Sequence, residues 1–229
     1  MNADGKLVLA GIRAAIIDLD GTMVDTALDF HAALNSMRAD FSLAPVDLAT
    51  VRLYVGRGFR FLVRGTLAAD WPTEEMERHL PQADAAFLKH YADVNGDRSR
   101  LYPEVISGLI ALSDKGLKLA CVTNKQSEFA LPLMQRMGLA PYFNLVYPGD
   151  ALPKMKPDPL PLQTAMQFFD IQPHEAVMIG DSTNDSKAAR AAGCPILSVP
   201  YGYNHGRPVH EIDSDGIVEN LLEAAKLIS

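Results

Sequence analysis

Asp18 and Asp20 stand two positions apart in Ile16-Ile17-Asp18-Leu19-Asp20-Gly21-Thr22, directly after the apolar run Ala14 to Ile17. Side chains two apart on an extended backbone share one side. Both carboxylates can therefore face one pocket at a strand's carboxyl end, the edge where open α/β sheets bind ligands. Carboxylates held together repel unless a cation or a proton lies between them, and Gly21 allows the chain to turn away sharply. A plain DxDG turn would use the same residues. A calcium loop would not, because it needs glycine sixth and glutamate twelfth, and here Gly21 is fourth and Asp29 twelfth counting from Asp18.

Three further strand ends carry groups of complementary chemistry. Thr123 follows Leu117 to Val122 and offers a hydroxyl. With Asn124 it is expected to offer backbone N–H groups at the start of the next helix, a position suited to a phosphate oxygen. Lys156 lies in Pro153-Lys154-Met155-Lys156-Pro157-Asp158-Pro159, where the prolines restrict the backbone and fix where the ammonium points. Asp181 and Asp185 straddle a strand-to-helix turn, one ending the strand and the other entering the first helical turn. Each has an ordinary reading: a Thr-Asn turn, a solvated loop lysine, carboxylates favoured at a helix N-terminus. Four groups of the right type at successive strand ends, in this order, make coincidence a poor account.

The elements that position these groups follow from periodicity. Phe30, Leu34, Met37 and Phe41 form a helical stripe, and Pro45 ends it. Shorter helices are expected over 47–55 and 59–69. Thr73 is read as the N-cap of a helix to Leu80, and Pro81 precedes a separate helix to about Tyr91. No strand is expected between residues 26 and 97. Beyond Pro103, strands and helices alternate: helix 103–115, strand 117–122, helix 127–137, strand 145–147, helix 160–169, strand 176–179, helix 185–192, strands 195–199 and 216–218, and helix 219–228. Such alternation implies a parallel sheet covered on both faces. The expected fold is α/β, a Rossmann-like doubly wound core formed by 1–25 and 98–229, with an inserted all-helical cap over 26–97.

In 229 residues, 48% hydrophobic and 21% charged, there is enough chain for a substantial core. The net charge of −7 argues against nucleic acid or an anionic membrane as partner, yet allows a locally positive site for a small anion. Cys121 and Cys194 lack CxxC spacing and sit in or beside apolar runs, so buried reduced thiols are expected. Arg13 breaks the run Leu7 to Ile17, which falls short of the roughly 20 residues of a membrane span and lacks a cleavage site. A cytoplasmic monomer or homodimer is the simplest expectation.

The set DxDGT, Thr123, Lys156 and GDxxxD resembles the haloacid dehalogenase superfamily of aspartate-nucleophile phosphohydrolases, over nearly the whole chain. Residues 149–159 and 201–206 further resemble phosphoglycolate phosphatases, which usually carry histidine where this chain has Asp158. The resemblance implies that Asp18 attacks phosphorus, that Asp20 protonates the leaving alkoxide, and that Lys156, Thr123 and Asn124 bind the phosphoryl group. It also implies a Mg²⁺ cofactor held by Asp18, the carbonyl of Asp20 and Asp181. Asp185 would act through a coordinated water or by orienting Lys156. An aspartate at position 20 favours phosphate-ester hydrolysis over dehalogenation, because a halide leaves without a proton. The implied substrate is a small phosphorylated metabolite, 2-phosphoglycolate first. Sugar phosphates, nucleotides and pyrophosphate, a phosphomutase, or a catalytically silent scaffold are the alternatives. Arg57, Arg60 and Arg64 recur at near-helical intervals and either meet the substrate carboxylate, Arg57 foremost, or form a solvated face.

Overall fold

The computed structural model describes residues 8–229; Leu7, the first residue of the N-terminal apolar run, lies outside them. Strand β1 (Ala14–Ile17) is central. Its side chains alternate between two cores, Ala15 and Ile17 on one face and Ala14 and Ile16 on the other, all fully buried. Burying each isoleucine contributes about 1.5–3 kcal/mol, so this strand is apolar throughout. Two-residue strand β2 (Val24–Asp25) follows.

The chain then leaves the sheet for four helices, α1 (Ala27–Asp40), α2 (Leu48–Arg52), α3 (Phe59–Leu67) and α4 (Thr73–Val94). They enclose a core of their own, in which Phe30, Phe87 and Tyr91 stack, with the Phe30 and Tyr91 rings 4.7 Å apart. The chain returns through β3 (Arg100–Leu101), which pairs antiparallel with β2, Val24 opposite Leu101 and Asp25 opposite Arg100. Asp29 fastens this junction. Its buried carboxylate accepts from the backbone N–H groups of Gly96, Arg98 and Ser99 at 2.9, 2.8 and 3.2 Å and from the Ser99 hydroxyl.

The remaining elements are α5 (Val105–Asp114), β4 (Lys118–Val122), α6 (Ser127–Arg136), β5 (Leu145–Tyr147), α7 (Leu160–Phe168), β6 (Ala176–Gly180), α8 (Thr183–Ala192), β7 (Ile196–Ser198), β8 (Gly216–Ile217) and α9 (Leu221–Lys226). All six strands of the main sheet run parallel in the order β5-β4-β1-β6-β7-β8. Helices α5, α6 and α9 cover one face, and α7 and α8 the other. This is the expected doubly wound sheet. Because β4 and β6 flank β1, the ends of all three open on one edge. Among the described residues no helix is long and apolar enough to cross a membrane, and Cys121 and Cys194 are free and buried.

Two local expectations are corrected. The segments on either side of Pro81 form one helix, α4, rather than two. Pro81 removes an N–H and crowds the carbonyl four residues earlier, but Pro81 and Glu77 are both exposed, so water can serve the freed carbonyl. The buried stripe Met76, Ala83, Phe87 and Tyr91 continues unbroken. Thr73 is the first helical residue, after Pro72 at the cap position, and no side chain caps this end.

Candidate active site

Asp18 sits one residue past β1, with its N–H donated to the carbonyl of Ile179 in β6. Lys156 reaches it from the proline-rich loop. Its ammonium spends all three protons, on Asp18 Oδ1, Asp185 Oδ1 and the Val122 carbonyl, each at 2.7 Å. These three acceptors come from the ends of β1, the start of α8 and the end of β4, so one cation ties together three loops. Burial disfavours its charge, but Asp18 and Asp185 outweigh burial and hold its pKa above the ordinary lysine value. Asp185 is saturated from the other side by the Ser182 N–H and hydroxyl, a reciprocal capping box on α8.

Asp181 ends β6, fixed by the Thr22 hydroxyl on Oδ1 at 3.0 Å and the Tyr203 N–H on Oδ2 at 2.7 Å. The backbone fits around it closely. A Cβ on Gly202 would lie 2.2 Å from Asp181 Cβ, and one on Gly21 2.5 Å from Asp181 Oδ2, so neither position accepts a side chain. Oxygens of Asp18, Asp181 and Asp185 all lie within 4.8 Å of one another, in buried surroundings. Burial and Asp185 push the Asp181 carboxyl up to about 7. Burial raises Asp18 as well; Lys156 counters this, while Asp185 and Asp181 add to it. Such crowding is relieved by a hard cation, and an all-oxygen donor set suits Mg²⁺. With Asp185 committed to Lys156, Asp18 and Asp181 remain as the side chains fitted to hold it.

Asp20 points away from this cluster. It accepts from the Thr26 hydroxyl at 2.8 Å and from Lys125 Nζ at 3.0 and 3.3 Å. Lys125 was not legible from spacing. Its only signal was a lysine directly after the Thr123-Asn124 turn. The structure buries it, with Nζ 4.2 Å from the Phe30 ring centre and 4.9 Å from that of Tyr91. Burial lowers its pKa while Asp20 opposes the change.

The turn at Thr123 differs from expectation. Helix α6 begins at Ser127 as expected, but the Thr123 N–H, expected to be free for a phosphate oxygen, is taken by the Tyr147 carbonyl. The Thr123 hydroxyl accepts from the Lys125 N–H at 3.2 Å. Asn124 donates its amide to the carbonyls of Lys156 and Gly56, at 2.8 and 3.0 Å. Asn184 donates to the same Gly56 carbonyl at 3.0 Å, so the insert is tethered to two strand-end loops through one oxygen.

Asp18, Asp20, Thr123, Asn124 and Lys125 line a pocket, walled on the insert side by Phe30, Val55, Gly56, Gly58, Phe59, Leu62, Phe87 and Tyr91 and bordered by Gln126 and Phe129. Three polar atoms of its lining residues, Tyr91 Oη, Asn124 Oδ1 and Gln126 Oε1, are buried without a partner among the described residues. The arginines lie elsewhere. Arg57 covers the Phe61 ring and borders a different groove with Thr183, Lys187 and His205. Arg60 pairs with Asp84, and Arg64 with Glu77.

Residues 15–199 match the family profile of haloacid dehalogenase-like hydrolases. The chain is 45% identical over 218 residues to a phosphoglycolate phosphatase of Thiobacillus denitrificans, covering 95% of this chain and 96% of the relative. It is 46% identical over 217 residues to the Nitrosospira multiformis phosphoglycolate phosphatase, with the same coverages, 95% and 96%. A crystal structure of a predicted phosphoglycolate phosphatase from Haemophilus somnus superposes with a TM-score of 0.87 at 30% identity, over 95% of this chain and 98% of that one.

Proposed function

The chain belongs to the haloacid dehalogenase-like hydrolases, and from that premise we propose that it is a Mg²⁺-dependent phosphomonoesterase acting through an aspartyl phosphate, with 2-phosphoglycolate as its leading substrate. The observation that carries the reading is the convergence of Asp18, Lys156, Asp181 and Asp185 within one buried cluster beside the pocket. The substrate assignment is supported by the phosphoglycolate phosphatases to which the chain is similar over 95% of its length.

In this reading the free oxygen of Asp18 attacks phosphorus, and the alkoxide departs from the opposite side. Asp18 and Asp181 would hold the Mg²⁺, whose positive charge would offset repulsion between nucleophile and phosphate. Lys156 steadies charge on the phosphoryl oxygens, and Asp185 orients Lys156. Thr123 Oγ and the Asn124 N–H, which has no protein acceptor among the described residues, bind a further phosphoryl oxygen. Asp20 must carry a proton to the leaving oxygen and later take one from water. For that its carboxyl turns from Lys125 toward the cavity or shares the ammonium with the incoming substrate. The four helices of the insert act as a cap that excludes water and moves to admit substrate. Two buried, unpaired thiols support a reducing, cytoplasmic setting.

The test is phosphate release from 2-phosphoglycolate with and without Mg²⁺, alongside Asp18→Asn. Turnover and acid-stable labelling from ³²P substrate are expected in the parent and absent in the variant. A fully active Asp18→Asn enzyme would remove the nucleophile assignment. Quantitative return of phosphate to an isomeric substrate, without free phosphate, would identify a mutase instead.

A further inference from the structure

We propose that Lys125, assisted by the hydroxyl of Tyr91, is the specificity element for a second anionic group on the substrate, a carboxylate one carbon beyond the ester oxygen. The proposal rests on the phosphomonoesterase reading above and names what that site selects. Three observations carry it. First, among the described residues Lys125 is the only cationic one lining the cavity, whereas Arg57, Arg60 and Arg64 are engaged with Phe61, Asp84 and Glu77. Second, an ammonium has three protons, and among the described residues Lys125 Nζ donates hydrogen bonds only to the two oxygens of Asp20, so one donor remains free. Third, Tyr91 lines the same cavity against the lysine, and its buried hydroxyl has no partner among the described residues. A donor left unpaired in apolar surroundings is costly, a cost relieved when a ligand oxygen arrives.

Position agrees with chemistry. Asp20 must touch the leaving oxygen, and Nζ lies 3.0 Å from Asp20 Oδ1. A carboxylate carbon two bonds from that leaving oxygen falls within reach of the same ammonium. The faces of Phe30 and Tyr91 hold the cation in place and keep water out, which strengthens its attraction for an anion.

The experiment compares kcat/KM for 2-phosphoglycolate with that for 2-hydroxyethyl phosphate, an alkyl ester of similar size whose leaving alcohol needs the same protonation but which carries a neutral hydroxyl instead of the carboxylate. Any damage to Asp20 affects both esters and cancels in the ratio. The parent is expected to favour the carboxylate ester. Lys125→Met should lower the ratio at least tenfold, chiefly through KM, Lys125→Arg should retain part of it, and Tyr91→Phe should lower it severalfold. Should Lys125→Met fail to fold by circular dichroism, Tyr91→Phe and Lys125→Arg decide. An unchanged ratio in the folded variants, even with both activities reduced, overturns the proposal and leaves the phosphatase reading intact. A parent that hydrolyses both esters without preference overturns this proposal and the substrate assignment together, and a parent that hydrolyses neither removes the function itself.

Discussion

Replacing Lys156 with methionine removes one charge from a site where that charge holds three acceptors. The side chain keeps its length, so packing changes little, but Asp18 and Asp185 are left facing each other and the Val122 carbonyl loses its donor. Breaking a buried ion pair in this one-sided way costs about 3–5 kcal/mol. For a chain of this size each kcal/mol lowers Tm by about 2–4 °C, so the combined expectation is a fall of roughly 6–20 °C at pH 8. The loss should depend on pH in a definite direction. Without the ammonium, which holds it down, the folded-state pKa of Asp18 rises further above its unfolded value near 3.9. An acid with a raised folded pKa stabilises the fold when protonated, and that stability is lost as pH climbs from about 4 through the raised value. The gap between parent and variant is therefore largest at pH 8 and narrows as pH falls toward 4, where Asp18 of the parent is protonated too. Phosphate release should drop by about 10²-fold or more. Differential scanning calorimetry at pH 4.5, 6 and 8, with a phosphate assay at pH 8, checks each part. A Tm gap equal at all three pH values would refute the reasoning, since it would mean that shape and not charge was lost.

Three other perturbations have defined outcomes. Burial and Asp185 place the Asp181 carboxyl at about 7, so metal-free protein should lose stability as pH rises from about 4 to 7. Mg²⁺ should then raise Tm more at pH 8 than at pH 6, and equal gains at both would contradict the metal assignment. Asp29→Asn preserves size but sets an amide N–H against at least one of the donors that the carboxylate accepts. It should cost about 2–3 kcal/mol, read as a lower urea midpoint, and an unshifted midpoint would mean that the junction contributes nothing. Gly202→Ala forces Asp181 to move because its Cβ would lie 2.2 Å from that of Asp181. Mg²⁺ affinity by calorimetry should fall about 10-fold or more, and an unaltered affinity would detach Asp181 from the metal.

The strand-end groups were legible because each follows an apolar run that stops at a polar residue. Asp18, Thr123, Asp181 and the sheet between them are fixed by that local pattern. Contacts formed across the chain left weaker traces. Lys125 reads as an ordinary loop lysine until Phe30 and Tyr91, 95 and 34 positions away, fold over it. The three arginines share a helical spacing, but which way they point depends on Asp84, Glu77 and Phe61. Pro81 looks like a helix boundary because sequence does not tell whether the orphaned carbonyl meets water. The stem of β2 and β3 is too short for alternation to register, and it forms only because the insert brings its two ends together.

That stem has a consequence for how the architecture can be altered. Where the insert begins and ends, the two chains lie as neighbouring antiparallel strands, roughly 5 Å apart. Replacing everything beyond them with a tight turn, or with a different helical or β module whose termini are equally close, would leave the register of the six-stranded sheet untouched. The six-stranded sheet and the helical insert would thus be separable parts, joined at a splice point where one could be exchanged without redesigning the other.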